Sequence, residues 1–258
     1  IPSFGATIRP YYSPEEGIIL IGLGTIINAG AIVVGGLLGL LLKNALPQRI
    51  SNTLTKAIGI CVLFIGLSGA LQNMFTIEDG ALSVGGTMMT IFSFIGGSIL
   101  GGALDLEGRL ERFGVWLRKR AGADGDSGFL NAFLTASLTV CIGAMAVVGA
   151  INDGLFGDIS LLVTKSILDA IIIMVMAATM GKGCIFSAIP VALFQGLVTL
   201  FARFLQPVMT AQATSNLALT GSILVFCVGV NLIWDQQRLK VANMLPTLIF
   251  AVALAFVL

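Results

Sequence analysis

The stretch Ala150-Ile-Asn-Asp-Gly-Leu-Phe-Gly-Asp-Ile-Ser-Leu-Leu-Val-Thr-Lys-Ser-Ile-Leu-Asp169 decides the fold. It joins two long apolar runs and carries Asn152, Asp153, Asp158, Lys165 and Asp169 in a chain otherwise poor in charge. Lys165 and Asp169 fall inside the second run. Ionisable side chains at that depth in a bilayer are expensive and mark functional sites by default. They are four residues apart, hence on one helical face. At the rise of a helix, Lys165 lies about 6 Å and Asp169 about 12 Å below the nearer boundary. Lysine can snorkel outward along its stem. Aspartate is too short, so Asp169 needs a partner or a proton.

Working outward, apolar runs of similar length recur along all 258 residues, of which 57% are hydrophobic and 10% charged, with mean hydropathy +1.01. Soluble domains carry about 25% charged residues. Each run is long enough to cross a hydrocarbon core of about 30 Å. The runs are continuous rather than alternating, which argues against a β-barrel. The fold class is therefore all-α: a polytopic transmembrane helical bundle in one domain, 17–258, with the lipid bilayer as its first partner.

Spans are expected at about 17–42, 57–72, 82–103, 129–151, 160–181, 184–205, 217–234 and 244–258, eight in all. Residues 1–16, with Pro2, Pro10 and Pro14, read as a short external arm or a non-native remnant. No signal-peptide pattern stands at the start. Gly35 with Gly39, and Gly97 with Gly101, have the spacing that lets another helix approach closely, which permits a homodimer. Residues 105–120 have an apolar side (Leu106, Leu110, Phe113, Val115, Leu117) and read as an amphipathic interfacial helix; 121–128 is a flexible linker. Asn131, Thr135, Thr139 and Gly143 recur every four residues, either lining a cavity or bonding to a neighbouring helix. Pro190 loosens span six.

Eight crossings sort the loop charges. Lys43, Arg49, Lys56, Arg109, Arg112, Arg118, Lys119, Arg120, Lys182, Arg238 and Lys240 fall on one side, and only Arg9 and Arg203 on the other. Basic loops mark the cytoplasm, so both termini are expected outside. Ile60-Cys-Val-Leu-Phe-Ile-Gly66 aligns without a gap on Ile223-Leu-Val-Phe-Cys-Val-Gly229. With spans 1–3 and 6–8 as units, the two would have opposite orientation, the inverted repeat of secondary transporters, whose sites lie near the midplane.

The substrate- or ion-binding candidates are Asp169, Lys165, Asn28, Gln195 and Thr139. Asn152 and Asp153 stand at the outer mouth, where Asp-Gly and Gly-Asp also suit a tight turn. The alternative for Lys165 and Asp169 is a pair that only fixes helix packing. Histidine is absent, and Cys61, Cys141, Cys184 and Cys227 are scattered through apolar runs as small hydrophobes. No metal site, nucleotide loop or hydrolytic triad is legible, and net charge +1 does not suggest nucleic acid. The chain reads as a non-enzyme without cofactor. Its leading reading is a secondary transporter for an ion or small polar solute. A channel and a non-transporting scaffold or stress-response protein are the alternatives.

An ordered set of motifs carries a resemblance. Gly24-Thr-Ile-Ile-Asn28 with Gly35-Gly-Leu-Leu-Gly39 comes first, then Asp105-Leu-Glu-Gly-Arg-Leu-Glu-Arg112. Gly149-Ala-Ile-Asn-Asp-Gly154 to Lys165-Ser-Ile-Leu-Asp169 forms the centre. Ser187-Ala-Ile-Pro190, Gln195-Gly196 and Val241-Ala-Asn-Met-Leu-Pro246 complete it. Over about 22–258 the chain resembles the YdfK/YqgA-like family of bacterial inner-membrane proteins, domain of unknown function 554. The resemblance implies a bacterial inner-membrane location and no particular substrate. Members often have proline after the glycine matching Gly143; Ala144 stands there here, which argues against a sharp break in span four.

Overall fold

A computed structural model describes residues 21–43, 47–78, 81–234 and 239–257. The N-terminal arm, Asp79 and Arg238 lie outside the described residues. The chain is nearly all helix: α1 (Leu23–Lys43), α2 (Gln48–Met74), α3 (Thr87–Ala103), α4 (Leu106–Arg120), α5 (Phe129–Cys141) and α6 (Ala144–Phe156). Then come α7 (Ser160–Met180), α8 (Ala188–Leu200), α9 (Ala202–Leu205), α10 (Ala211–Ile233), α11 (Val241–Met244) and α12 (Thr247–Leu254). In lipid every backbone group must be satisfied within the chain, which is why such runs fold as helices. Ile26, Leu41, Phe64, Ile99, Ile171 and Leu200 are exposed on the bundle, as lipid-facing residues would be.

Among the described residues, five stretches are long and apolar enough to cross a membrane: α1, residues 49–74, α7, Lys182–Leu200 and α10. Two bent pairs, α3 with α4 and α5 with α6, raise the number to as many as seven. The eighth expected span is the shorter apolar stretch Val241–Leu254, split after Met244 around Pro246.

Several boundaries differ from the expectation. The loop after α1 is mostly helix, because Arg49 and Lys56 are tolerated on the first turns of α2. Phe75–Glu78 and Ala81–Val84 form an antiparallel pair, β1 and β2, with Phe75 opposite Val84. Asp79-Gly80 between these short runs is a hairpin signal that the apolar reading passed over. Pro190 sits third in α8, after a 3-10 turn at Lys182–Ser187, so it interrupts no established helix. The first turn is where a missing N–H costs least.

The largest departure is the fourth span. Two helices meet at 63°, and Gly143 between them has φ 148° and ψ 148°. Glycine reaches that region without a proline's help. The break expected to be absent because of Ala144 is present because of Gly143.

Glycines also set the packing. Along α1, Gly24 lies against Leu162, Gly35 against the Ala170 carbonyl and Gly39 against the Met174 carbonyl, so α1 and α7 run parallel and nearly touch. Gly97 meets Thr247 and Gly101 meets Asn243, making α3 antiparallel to α11 and α12. Both glycine pairs are thus filled within the chain, and neither leaves a free face for a homodimer. Gly66 packs on Phe226 and Gly229 on Leu63, so α2 and α10 are antiparallel. A buried core of Ile32, Ala136, Val140, Ile173, Met176 and Val191 joins α1, α5, α7 and α8.

Helix α4 starts at Asp105, which has φ 47° and accepts a hydrogen bond from the Gly108 N–H. Its apolar side packs with Phe129, Phe133 and Leu134 of α5. A reciprocal clasp ties it to α11: the Glu107 N–H donates to Asn243 Oδ1 at 2.8 Å, and the Ala242 N–H donates to Glu107 Oε2 at 3.0 Å. Each bond satisfies an amide of a helix first turn, which has no partner within its own helix.

Candidate functional site

Parallel packing of α7 on α1, with α8 behind, gathers the sequence candidates. Lys165, Asp169, Asn28 and Gln195 are all buried. Lys165 and Asp169 form an ion pair across one turn of α7. The Lys165 ammonium also donates to the Val140 carbonyl at 2.8 Å. Val140 is one residue from the end of α5. Carbonyls there lack helical partners and carry the negative end of the helix dipole, so a cation is favoured. The break at Gly143 therefore creates the acceptor that Lys165 uses.

Asn28 stands close to the Asp169 carboxylate. Asn28 Nδ2 donates to Gln195 Oε1 at 3.2 Å. These two mid-span amides, separated by 167 residues, do complete one constellation with the pair. Asn28 Oδ1 and Gln195 Nε2 retain no hydrogen-bond partner.

Thr139 is not brought into it. Its hydroxyl donates to the Thr135 carbonyl at 2.7 Å, and Thr135 donates to Asn131 Oδ1 at 3.2 Å. The polar stripe on α5 is bonded along its own helix. Asn131 and Thr135 nevertheless line a cavity of about 460 Å³ with Asn52, Lys56 and Asn231, at the end of the bundle where α7 finishes. So the cavity-lining reading fits these two residues, their bonds run within α5 rather than to a neighbouring helix, and Thr139 is absent from the cavity wall.

Asn152 and Asp153 are not turn residues. Both belong to α6, and the turn begins at Gly157. Asp153 is fully buried, and its carboxylate accepts from the N–H of Gly22 at 3.1 Å and of Gly24 at 3.0 Å. It thereby caps the start of α1, where free N–H groups and the helix dipole favour an anion. Asp158 is the turn residue; hydrogen bonds from the Ser160 hydroxyl and N–H hold its carboxyl below the usual range. Sequence reasoning missed Val140, because a backbone carbonyl has no signature; the glycine that frees it was visible.

A family model described as "Protein of unknown function (DUF554)" matches residues 23–256. The chain belongs to this family. Its DUF554 relatives include the "uncharacterized membrane protein YdfK" of Bacillus subtilis (strain 168), 27% identical over 235 residues, covering 91% of this chain and 96% of the relative. A second is the "uncharacterized protein YqgA" of Escherichia coli (strain K12), 26% identical over 240 residues, covering 90% and 96%. No solved structure matches. The DUF554 match spans every element that builds the Lys165–Asp169 site.

Proposed function

We propose that this protein is a secondary transporter of an ion or small polar solute, with Asp169, Lys165, Asn28 and Gln195 as its midplane site. One observation carries the reading: a buried ammonium–carboxylate pair bound to the free carbonyl of a broken membrane helix. Broken helices at midplane sites recur in transporters, where freed carbonyls and helix ends handle ions.

Helix directions support eight crossings. With α1 and α7 parallel, an odd number of crossings separates them: α2, α3 and the bent α5–α6 span. A re-entrant α5–α6 would leave them antiparallel. The inverted repeat draws support from the same contacts. Each helix of the first unit packs antiparallel on its counterpart: α1 on α8 through Asn28–Gln195, α2 on α10 through Gly66 and Gly229, and α3 on α11 and α12 through Gly97 and Gly101. A two-fold axis in the membrane plane relates units in that manner, and it would pass close to Asn28 and Gln195. The basic loops favour a bacterial inner membrane with both termini outside and α4 at the cytoplasmic interface.

A scaffold reading rests on one fact: Lys165 and Asp169 are partnered to each other. Uptake in proteoliposomes across ions and small metabolites separates the two. A solute that enters with wild type and not with Asp169→Asn supports the carrier. Equal uptake by the variant removes Asp169 from the mechanism, and no uptake from a wide panel favours the scaffold.

A further inference from the structure

Among the described residues, seven buried side-chain polar atoms have no hydrogen-bond partner. Four of them are Thr25 Oγ1, Asn28 Oδ1, Gln195 Nε2 and Thr199 Oγ1, from α1 and α8 alone. All four residues are at most 6% exposed. The antiparallel register that bonds Asn28 to Gln195 brings Thr25, one turn earlier on α1, level with Thr199, one turn later on α8. Helix α6 gives an independent anchor for that level. Asp153 accepts from the Gly24 N–H beside Thr25, while Gly154 lies against the Thr199 carbonyl. By this register the four residues follow one another along the α1–α8 seam. Asp169, beside Asn28, stands toward one end and Asp153 toward the other.

A dry hydroxyl or amide in such a seam carries its desolvation penalty with nothing to offset it. Buried polar groups are instead paired, very often through water that bonds two to four of them. We propose that the α1–α8 seam holds a file of bound water between Asp169 and Asp153, and that this file is the half-path to the Lys165–Asp169 pair from the end where α1 begins. The path assignment rests on the transporter reading; the water does not. The cavity lined by Asn131 and Thr135 approaches from the opposite end. One approach is open and the other narrowed to single waters, as one state of alternating access requires. Hydroxyl and amide walls with a carboxylate at each end suit a cation over an anion.

The test uses the full chain in sealed membrane vesicles, with Thr25→Cys and Thr199→Cys and Ag+, a thiol-reactive cation close to water in size, added from one face; a thiol that has bound silver is spared from alkylation after unfolding. Peptide-resolved mass spectrometry reads each position, with buried Cys184 as the internal control. Both introduced thiols are expected to label far faster than Cys184, and only from the face opposite to the one that labels Asn131→Cys. No labelling from either face, or labelling from the Asn131 face, overturns the proposal. A second measurement is the thermal stability of Thr25→Val and Thr199→Val. In a dry seam, valine relieves an unpartnered hydroxyl and raises Tm, which overturns the file. In a wet one, Tm is unchanged or falls. Failed labelling alongside Asp169-dependent uptake removes the file and leaves the carrier. Labelling without any uptake keeps the file and removes the carrier.

Discussion

Lys165 of α7 donates a hydrogen bond to the Val140 carbonyl at the end of α5, 2.8 Å away, while its ammonium pairs with Asp169. A cation that the bilayer should expel is held by a carboxylate on its own helix and a backbone acceptor on another. Charge balance and the helix break are therefore one feature.

Removing one partner leaves the other charged and uncompensated. Lys165→Met is expected to destabilise by about 3–5 kcal/mol, the usual cost of breaking a buried pair. The double variant Lys165→Met with Asp169→Leu should recover most of that, since apolar replacement of a whole buried pair is often neutral. Thermal melts in detergent measure both. A melt of the single variant equal to wild type would show that the lysine's charge is not what holds Asp169 in place. Recovered stability without recovered uptake in the double variant separates function from packing.

The pair and the amides were legible because polar residues stand out in apolar runs. Lys165, Asp169, Asn28 and Gln195 could be picked singly from spacing and depth, but that α1 and α8 bring two amides together is a fact of packing. Asp153 shows the converse. Its neighbours Asn152 and Gly154 resemble a turn, yet the last turns of α6 absorb them, and the carboxylate finds an N-terminus 131 residues away. Helix caps between distant elements leave no local pattern. Thr139 failed for a third reason: threonine in a membrane helix can satisfy itself on its own backbone, so a polar stripe need not face a site.

The break itself rests on one residue. Gly143 has no neighbour within 4 Å where a Cβ would sit, so only its backbone conformation resists substitution. Gly143→Ala is expected to cost roughly 1–3 kcal/mol, or to straighten the span and withdraw Val140 from Lys165. Ala144→Pro should be neutral or stabilising by about 0.4–1 kcal/mol, because it occupies the first position of α6 and the residue before it, Gly143, is outside the helical region that a following proline disfavours. Melting temperatures of the two variants, moving in opposite directions, check this. A loss with Ala144→Pro as large as with Gly143→Ala would contradict it.

Asp153→Ala removes both acceptors at the start of α1. A loss of about 1–2 kcal/mol is expected from the missing cap, with Asp153→Asn intermediate. Hydrogen exchange localises the effect: the amides of Gly22 and Gly24 should lose protection while the centre of α7 keeps it. Uniform loss across the bundle would mean that Asp153 supports more than the helix end.

The contact between α1 and α7 makes a sharper test, because three glycines of one helix face different surroundings. Gly35 and Gly39 abut the carbonyls of Ala170 and Met174, which belong to rigid helical backbone and cannot move aside. A methyl group at either position must push α1 away from α7, with an expected cost of about 1–3 kcal/mol. Gly30, on the same helix, faces open space. There alanine should stabilise by up to about 1 kcal/mol through helix propensity alone. Because Asn28 on α1 reaches Asp169 on α7, separation of the helices also reaches the site. Gly35→Ala should therefore reduce any Asp169-dependent uptake, and Gly30→Ala should leave it unchanged. Equal melts for Gly35→Ala and Gly30→Ala would show that α1 and α7 are not held at glycine contact distance in the membrane.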